Sequence, residues 1–453
     1  MITFITYFFA FLLTLLILVS IHEFGHFWVA RKMGVKVLRF SIGMGKPLWT
    51  KKGKDGVEYV FAMLPLGGYV KMLGEGDEEV AKDEKHQAFN QASIKARAAI
   101  VIAGPLFNLI LAVVLLWGLN IVGSTGLMPL IGQVTPHSDA DKAGFLSGDE
   151  IIQVGDKETP TWQNVIYQMV STSINSDHLE LQVRQKDGNL VSKNLPIATI
   201  LKYEKDKNIL KSLGLSRYLP PVPIILGRII PNKPADLAGL KKGDKVLSVD
   251  GKAVQYWKEW SQLVQASPNK KLTFKIERDG FILTKKVTPI TLTENNKTVV
   301  RIGVYGADHT DLYAPYLRKT QYDTLDALQL AFTQTGENAL LIINGIKKMI
   351  TGELSYMNMG GPATIVQMAG KTATYGLLSF ISFLALLSVN LGVINLLPIP
   401  ILDGGHLLYL TIEGIKGSPL SEKNMAQAQI LGMIMLASLM TLAIYVDFVR
   451  FLG

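Results

Sequence analysis

The chain has 453 residues, no cysteine, a formal net charge of +9 and 48% hydrophobic residues, with a mean hydropathy of +0.26. The lack of cysteine excludes a disulfide framework and a thiolate metal site. No basic run is interleaved with aromatic residues, so the charge is not the footprint of a nucleic-acid binder. The apolar content is concentrated in four runs long enough to cross a bilayer.

The first run is residues 2–21. It carries no charge and so lacks the basic n-region of a secretory signal, which makes it a membrane span. At its end the chain reads "SIHEFGHFWVARK". His22 and His26 are spaced i, i+4 and share one face of a helix, where two neutral imidazoles can bind one Zn²⁺. Glu23 between them can take a proton from water. Ionisable groups at membrane depth are costly and mark function.

The loop from Arg31 to Arg97 carries thirteen Lys and Arg, whereas the N-terminal side carries none. The positive-inside rule places this loop in the cytoplasm and the N-terminus outside. "VKVLRFSIGMG" and "EYVFAMLPLGGYVKM" alternate as strands do, with glycines for sharp turns. A free edge at residues 61–69 could pair with an extended peptide. The second span, residues 98–122, leads outward.

The external segment repeats itself at an offset of 95. Ala140, Gly144, Gly148-Asp149 and Trp162 recur as Ala235, Gly239, Gly243-Asp244 and Trp257, which points to duplication. The shared "AG(F/L)xxGDxI/VxxV" pattern resembles PDZ domains, which usually take peptide tails by strand addition. Beyond it, Leu325, Leu328, Phe332, Ala339, Ile342, Ile346 and Met349 fall at helical spacing. That helix either lies on the outer leaflet or packs on the second repeat.

The third and fourth spans are residues 377–397 and 430–446. Between them stands "NLLPIPILDGGH", where Pro398 and Pro400 break the helix. Catalytic zinc takes three protein ligands. Asp403, in a Gly-rich turn on the same side of the membrane as HExxH, supplies the third.

The order of these motifs resembles the site-2 protease family of intramembrane zinc metalloproteases: an HExxH span, a basic loop with "SIGMG" and "PLGGYVKM", "AAIVIAGPLFNLILA", tandem PDZ copies and "NxxPxPxLDG". The resemblance implies that His22, His26 and Asp403 ligate zinc and that Glu23 is the general base. Asn395 would hold substrate or the developing oxyanion, with Pro398, Pro400 and Tyr69 also on the substrate side. His406 would not be a ligand, and His86, His137, His178 and His309 are expected at the surface. The fold class is a polytopic α-helical membrane protein with four transmembrane helices, a cytoplasmic membrane-associated β-hairpin and a periplasmic tandem of PDZ domains.

The expected divisions are 1–33, 34–94, 95–123, 124–218, 219–312, 313–374, 375–424 and 425–453: first span, cytoplasmic β loop, second span, two PDZ copies, amphipathic connector, third span with LDG, and fourth span. The expected function is hydrolysis of peptide bonds within the transmembrane segments of single-span proteins at a bacterial inner membrane. Substrates of the implied kind are a pre-cut anti-sigma factor and signal-peptide remnants, with peptide tails at the PDZ copies, no nucleic acid and a monomeric chain. The alternative is a membrane-tethered PDZ scaffold with a structural metal, which would tolerate loss of Glu23. A transporter would show an inverted repeat of spans, and none is visible.

Overall fold

The computed structural model describes residues 2–75, 80–175, 178–196, 209–294, 297–307 and 310–452. His309 lies outside them. Among the described residues four helices are long and apolar enough to cross a membrane. They are α1 (Ile2–Lys32), α2 (Ile94–Val122), and two near the C-terminus. Ser93 caps α2 by accepting from the Ala96 N–H. Pro105 sits inside α2, a placement that membrane helices tolerate.

Between α1 and α2 run β1 (Val37–Lys52) and β2 (Glu58–Met72). They fold back on themselves. Residues 39–42 pair with residues 68–71 on one side and with residues 58–61 on the other, while Trp49 and Lys51 pair with Phe61 and Tyr59. Phe61 is therefore interior, with partners on both flanks. The free edge on the α1 side is residues 67–72, not the 61–69 expected from the sequence. Two strands that each bend can make four neighbouring segments joined by three ladders, which a period-2 pattern does not reveal.

After α2 come the short strands β3 (Ser124–Leu127) and β4 (Ile131–Val134). The repeat is real in three dimensions. Its first copy holds β5 (Glu150–Val154), β6 (Lys157–Glu158), α3 (Trp162–Asn175), β7 (His178–Arg184) and β8 (Leu190–Pro196). The short strands β9 (Leu215–Arg217) and β10 (Leu226–Ile229) follow. The second copy holds β11 (Lys245–Val249), β12 (Lys252–Ala253), α4 (Trp257–Gln265), β13 (Leu272–Arg278) and β14 (Phe281–Val287). The strand orders β6-β5-β7-β8 and β12-β11-β13-β14 correspond. Each copy closes over its own core, around Trp162 and Leu181 in the first and Trp260 and Phe274 in the second.

The copies differ in how they are held. In the second, Arg278 binds Asp244 through two hydrogen bonds and also donates to Gly239 O. In the first, Lys193 donates to the matching carbonyl, Gly144 O, and approaches Asp149 at 3.5 Å. This leaves Arg184 to Glu150, whose other oxygen accepts from Arg318 at 2.8 Å. Position 245, which matches Glu150, is a lysine, so only the first copy can make that bond. Arg318 lies in a strand (Leu317–Thr320) that pairs with Ser124–Leu127 just after α2. The first copy is thus tied to the chain entering and leaving the membrane part.

The amphipathic connector is α5 (Thr324–Ile350). Among the described residues it packs on α2, on the spanning helix Leu377–Asn395 and on α3 of the first repeat, not chiefly on the second. Ala339 and Ile342 sit against Ala112, Val389 and Val393 of two spanning helices. Asn120 of α2 donates to Gln334 of α5, and Tyr167 of the first repeat donates to Asn338. Then come α6 (Pro362–Tyr375), α7 (Leu377–Asn395), α8 (Asp403–Lys416) and α9 (Glu422–Leu452). Spanning helix α7 packs on α2, whereas α9 exposes Ile430, Leu431 and Ile434. Asp447 of α9 accepts from the N–H groups of Gly361, Ala363 and Thr364, and so caps the positive end of α6 from outside.

Candidate metal centre

His22 and His26 stand one turn apart on α1 and face α2. Their Nε2 atoms are 3.2 Å from each other. Asp403, the first residue of α8 and not part of a turn, brings Oδ2 to 3.1 Å from His22 Nε2 and Oδ1 to 3.6 Å from His26 Nε2. Four equal zinc bonds of ~2.05 Å in a tetrahedron set ligand atoms about 3.3 Å apart. The spacings of 3.1–3.6 Å, two of them to different oxygens of Asp403, approximate one face of such a tetrahedron.

The protonation chemistry agrees with that geometry. His26 Nδ1 lies 2.8 Å from the Ile100 carbonyl. A carbonyl can only accept, so Nδ1 carries the proton and Nε2 offers a lone pair. Asp403 Oδ2 is buried with no hydrogen-bond donor aimed at it, although His22 Nε2 is 3.1 Å away. Lone pairs that converge in this way repel unless a cation lies among them. The donor set of two imidazoles and a carboxylate fits zinc.

Helix α2 can come this close because position 104 has no side chain. A Cβ on Gly104 would fall on His26 Nε2 and lie 2.9 Å from His22 Cε1. Ile100, Gly104 and Asn108 follow at spacings of four, so one stripe of α2 meets both histidines. Asn108 is fully buried and its amide lies 3.1 Å from His22 Nδ1.

A cavity of about 570 Å³ adjoins these groups. His22, Glu23, His26 and Asp403 line one part of it. The edge strand, with Gly68, Tyr69, Val70 and Met72, forms another wall, and Glu75, Arg97 and Glu413 add charged groups to the lining. A Cβ on Gly68 would lie 2.7 Å from Glu23 Cγ, so the strand passes directly over the glutamate. Glu75 accepts from the Met72 N–H, and burial pushes its carboxyl up from the ordinary range.

Of the residues expected from the sequence, the structure brings together His22, Glu23, His26, Asp403 and Tyr69. Asn395 ends α7, and Pro398 and Pro400 lie on the return to α8; these three do not line the cavity. His406 does line it, with its ring against Tyr409, and stands outside the three-residue cluster. His86 and His137 are exposed. Sequence reasoning passed over Asn108, Glu75, Arg97 and Glu413. The signal for Asn108 was a lone amide inside a hydrocarbon span.

Spanning helices that enclose two histidines, a glutamate and an aspartate define a membrane-embedded metallopeptidase. The chain belongs to peptidase family M50, whose family model matches residues 10–440. It is 40% identical to the regulator of sigma-E protease RseP of Escherichia coli, over 97% of this chain and 98% of that one. The same identity and coverage relate it to the regulator of sigma E protease of Salmonella typhi and to protease RseP of Yersinia pestis. The protein is an intramembrane zinc metalloprotease.

Proposed function

We propose that His22, His26 and Asp403 hold the zinc, that Glu23 is the general base, and that the chain cuts single-span membrane proteins inside their transmembrane segments. The observation that carries this reading is the tetrahedral face of three lone-pair donors beside Glu23, at the end of a spanning helix. When bound, the metal supplies Lewis acidity to water and to the scissile carbonyl. Glu23 takes the proton of the attacking water and returns it to the leaving amine nitrogen. Burial in the cavity excludes bulk solvent and strengthens each of these interactions.

A peptide bond within a helix is locked in an i to i−4 hydrogen bond, so the substrate must unwind. The free edge at residues 67–72 runs over Glu23 and offers unpaired backbone groups to an opened segment. Tyr69 lies on that edge. Asn395, Pro398 and Pro400 lie off the cavity, and the family resemblance alone places them on the substrate side of this reading.

The basic loop supports a cytoplasmic placement of the active site and a periplasmic placement of the two repeats in a bacterial inner membrane. The repeats act as PDZ domains that restrain access or sense peptide tails. The names of two relatives link those proteins to the regulation of sigma E; the family resemblance extends this reading to an anti-sigma factor already shortened by a first cut, with signal-peptide remnants as a second class. The test is cleavage of a reconstituted single-span substrate by wild type and by Glu23→Gln. Glutamine keeps the shape but cannot accept the proton, so turnover should fall about 10²–10⁴-fold with zinc retained. Turnover within tenfold of wild type would remove Glu23 from the base role.

A further inference from the structure

The geometry points to Asn108 as the residue that sets the tautomer of His22 and so presents Nε2 to the metal; this rests on the zinc reading above. A ring nitrogen can bind a metal only if its lone pair is free, which requires the proton on the other nitrogen. For His26 the Ile100 carbonyl secures this through Nδ1. For His22 the group 3.1 Å from Nδ1 is the amide of Asn108.

That amide is fully buried in α2. With its nitrogen toward Nδ1, Nδ1 accepts, Nε2 must carry the proton, and that proton points among His26 Nε2 and Asp403. The same orientation leaves Asn108 Oδ1 buried with no partner. Half a turn of the amide places Oδ1 against Nδ1, which then donates, and His22 Nε2 becomes a free lone pair. The two orientations occupy the same space and differ only in hydrogen bonding. Metal binding selects the second.

The backbone here is held in place. Ser388 of α7, fully buried, donates to the Asn108 carbonyl at 2.7 Å. Asn108 and Ile100 therefore act in parallel: one helix orients both imidazoles, by a side chain for one and by its backbone for the other. Such partners of ligating histidines raise metal affinity by holding tautomer and ring plane together. Asn108 is a positioning residue and touches neither substrate nor metal.

The test is zinc affinity, measured on the full chain in detergent by competition with a chromophoric chelator. Asn108→Leu has similar volume and no acceptor. Asn108→Asp keeps an acceptor. The leucine variant should bind zinc about 10–100-fold more weakly, while the aspartate variant binds as tightly as wild type or tighter. Wild-type affinity in Asn108→Leu overturns the inference, as does a tenfold loss in Asn108→Asp. Should the leucine variant fail to fold, Asn108→Ala, which also removes the acceptor, takes its place under the same criterion. The zinc reading itself is checked separately with His22→Ala: if that variant binds zinc like wild type, the ligand set is wrong, whatever Asn108 does.

Discussion

Arg97 and Glu413 grip each other through two hydrogen bonds, of 2.5 and 3.1 Å, at the wall of the cavity beside His22 and Asp403. Arg97 lies in the first turn of α2 and Glu413 in the last turn of α8, whose first residue is Asp403. Both side chains are about 15% exposed. A bidentate pair with so little solvent fixes the direction of α8 relative to the helix that supports the histidines. Glu413→Ala leaves Arg97 partly buried and unpaired, at a cost of roughly 3 kcal/mol. Zinc should be retained less well, because Asp403 is delivered less accurately. The exchange Arg97→Glu with Glu413→Arg should recover part of both losses in a double-mutant cycle, and purely additive effects would argue against a shared role.

Gly104→Ala tests the approach of α2 to the histidines. Alanine favours a helix over glycine by about 1 kcal/mol, so helix propensity predicts a gain. The added Cβ collides with His26 Nε2. Zinc affinity should fall on the order of 100-fold, as for loss of a metal-supporting contact. Equilibrium dialysis of the purified variant reads the outcome, and an unchanged affinity would mean that α2 can yield here.

The tie between Glu150 and Arg318 predicts unequal behaviour of the two repeats. Arg318→Ala removes a partner of Glu150, whose side chain is 8% exposed. Arg184 remains at 2.8 Å, so the first repeat should stay folded. Its attachment to the paired strands Ser124–Leu127 and Leu317–Thr320 should loosen. Hydrogen exchange is expected to rise at that junction and to stay unchanged in β11 and β13, which belong to the other repeat.

The second repeat should depend on acid through Asp244. Burial alone would raise its carboxyl; the Arg278 guanidinium and the Lys241 N–H hold it below the ordinary range. The folded value is thus lower than the unfolded one. The stability it contributes is present above pH ~4 and is lost as pH falls through the folded value. Hydrogen-exchange protection of β11 and β13 should decline over that acid range. Asp244→Asn should flatten the decline and cost about 3 kcal/mol at neutral pH by leaving Arg278 without its charge partner.

Much of this protein is legible as a string because its signals are local. Apolar runs of bilayer length mark the spans, and His22, Glu23 and His26 lie within one turn and a half of a single helix, so periodicity alone puts both imidazoles on one face. The duplication is visible because it repeats residue types at a fixed offset. Asp403 was reachable from the pairing of motif and depth. What these signals share is that a helix or a repeat makes sequence distance a fair proxy for distance in space.

Tertiary structure decided the rest, where that proxy fails. That Asp403 meets His22 and His26 depends on how α8 leaves the break at Pro398 and Pro400. That Ile100, Gly104 and Asn108 serve the histidines depends on α2 packing against α1. The free edge at residues 67–72 arises because both strands bend and pair twice, and α5 lies against α2 and α7 rather than on the second repeat. Each of these turns on the relative placement of elements tens to hundreds of residues apart. Close packing and the pairing of buried polar groups settle such placements jointly, so no single segment records them.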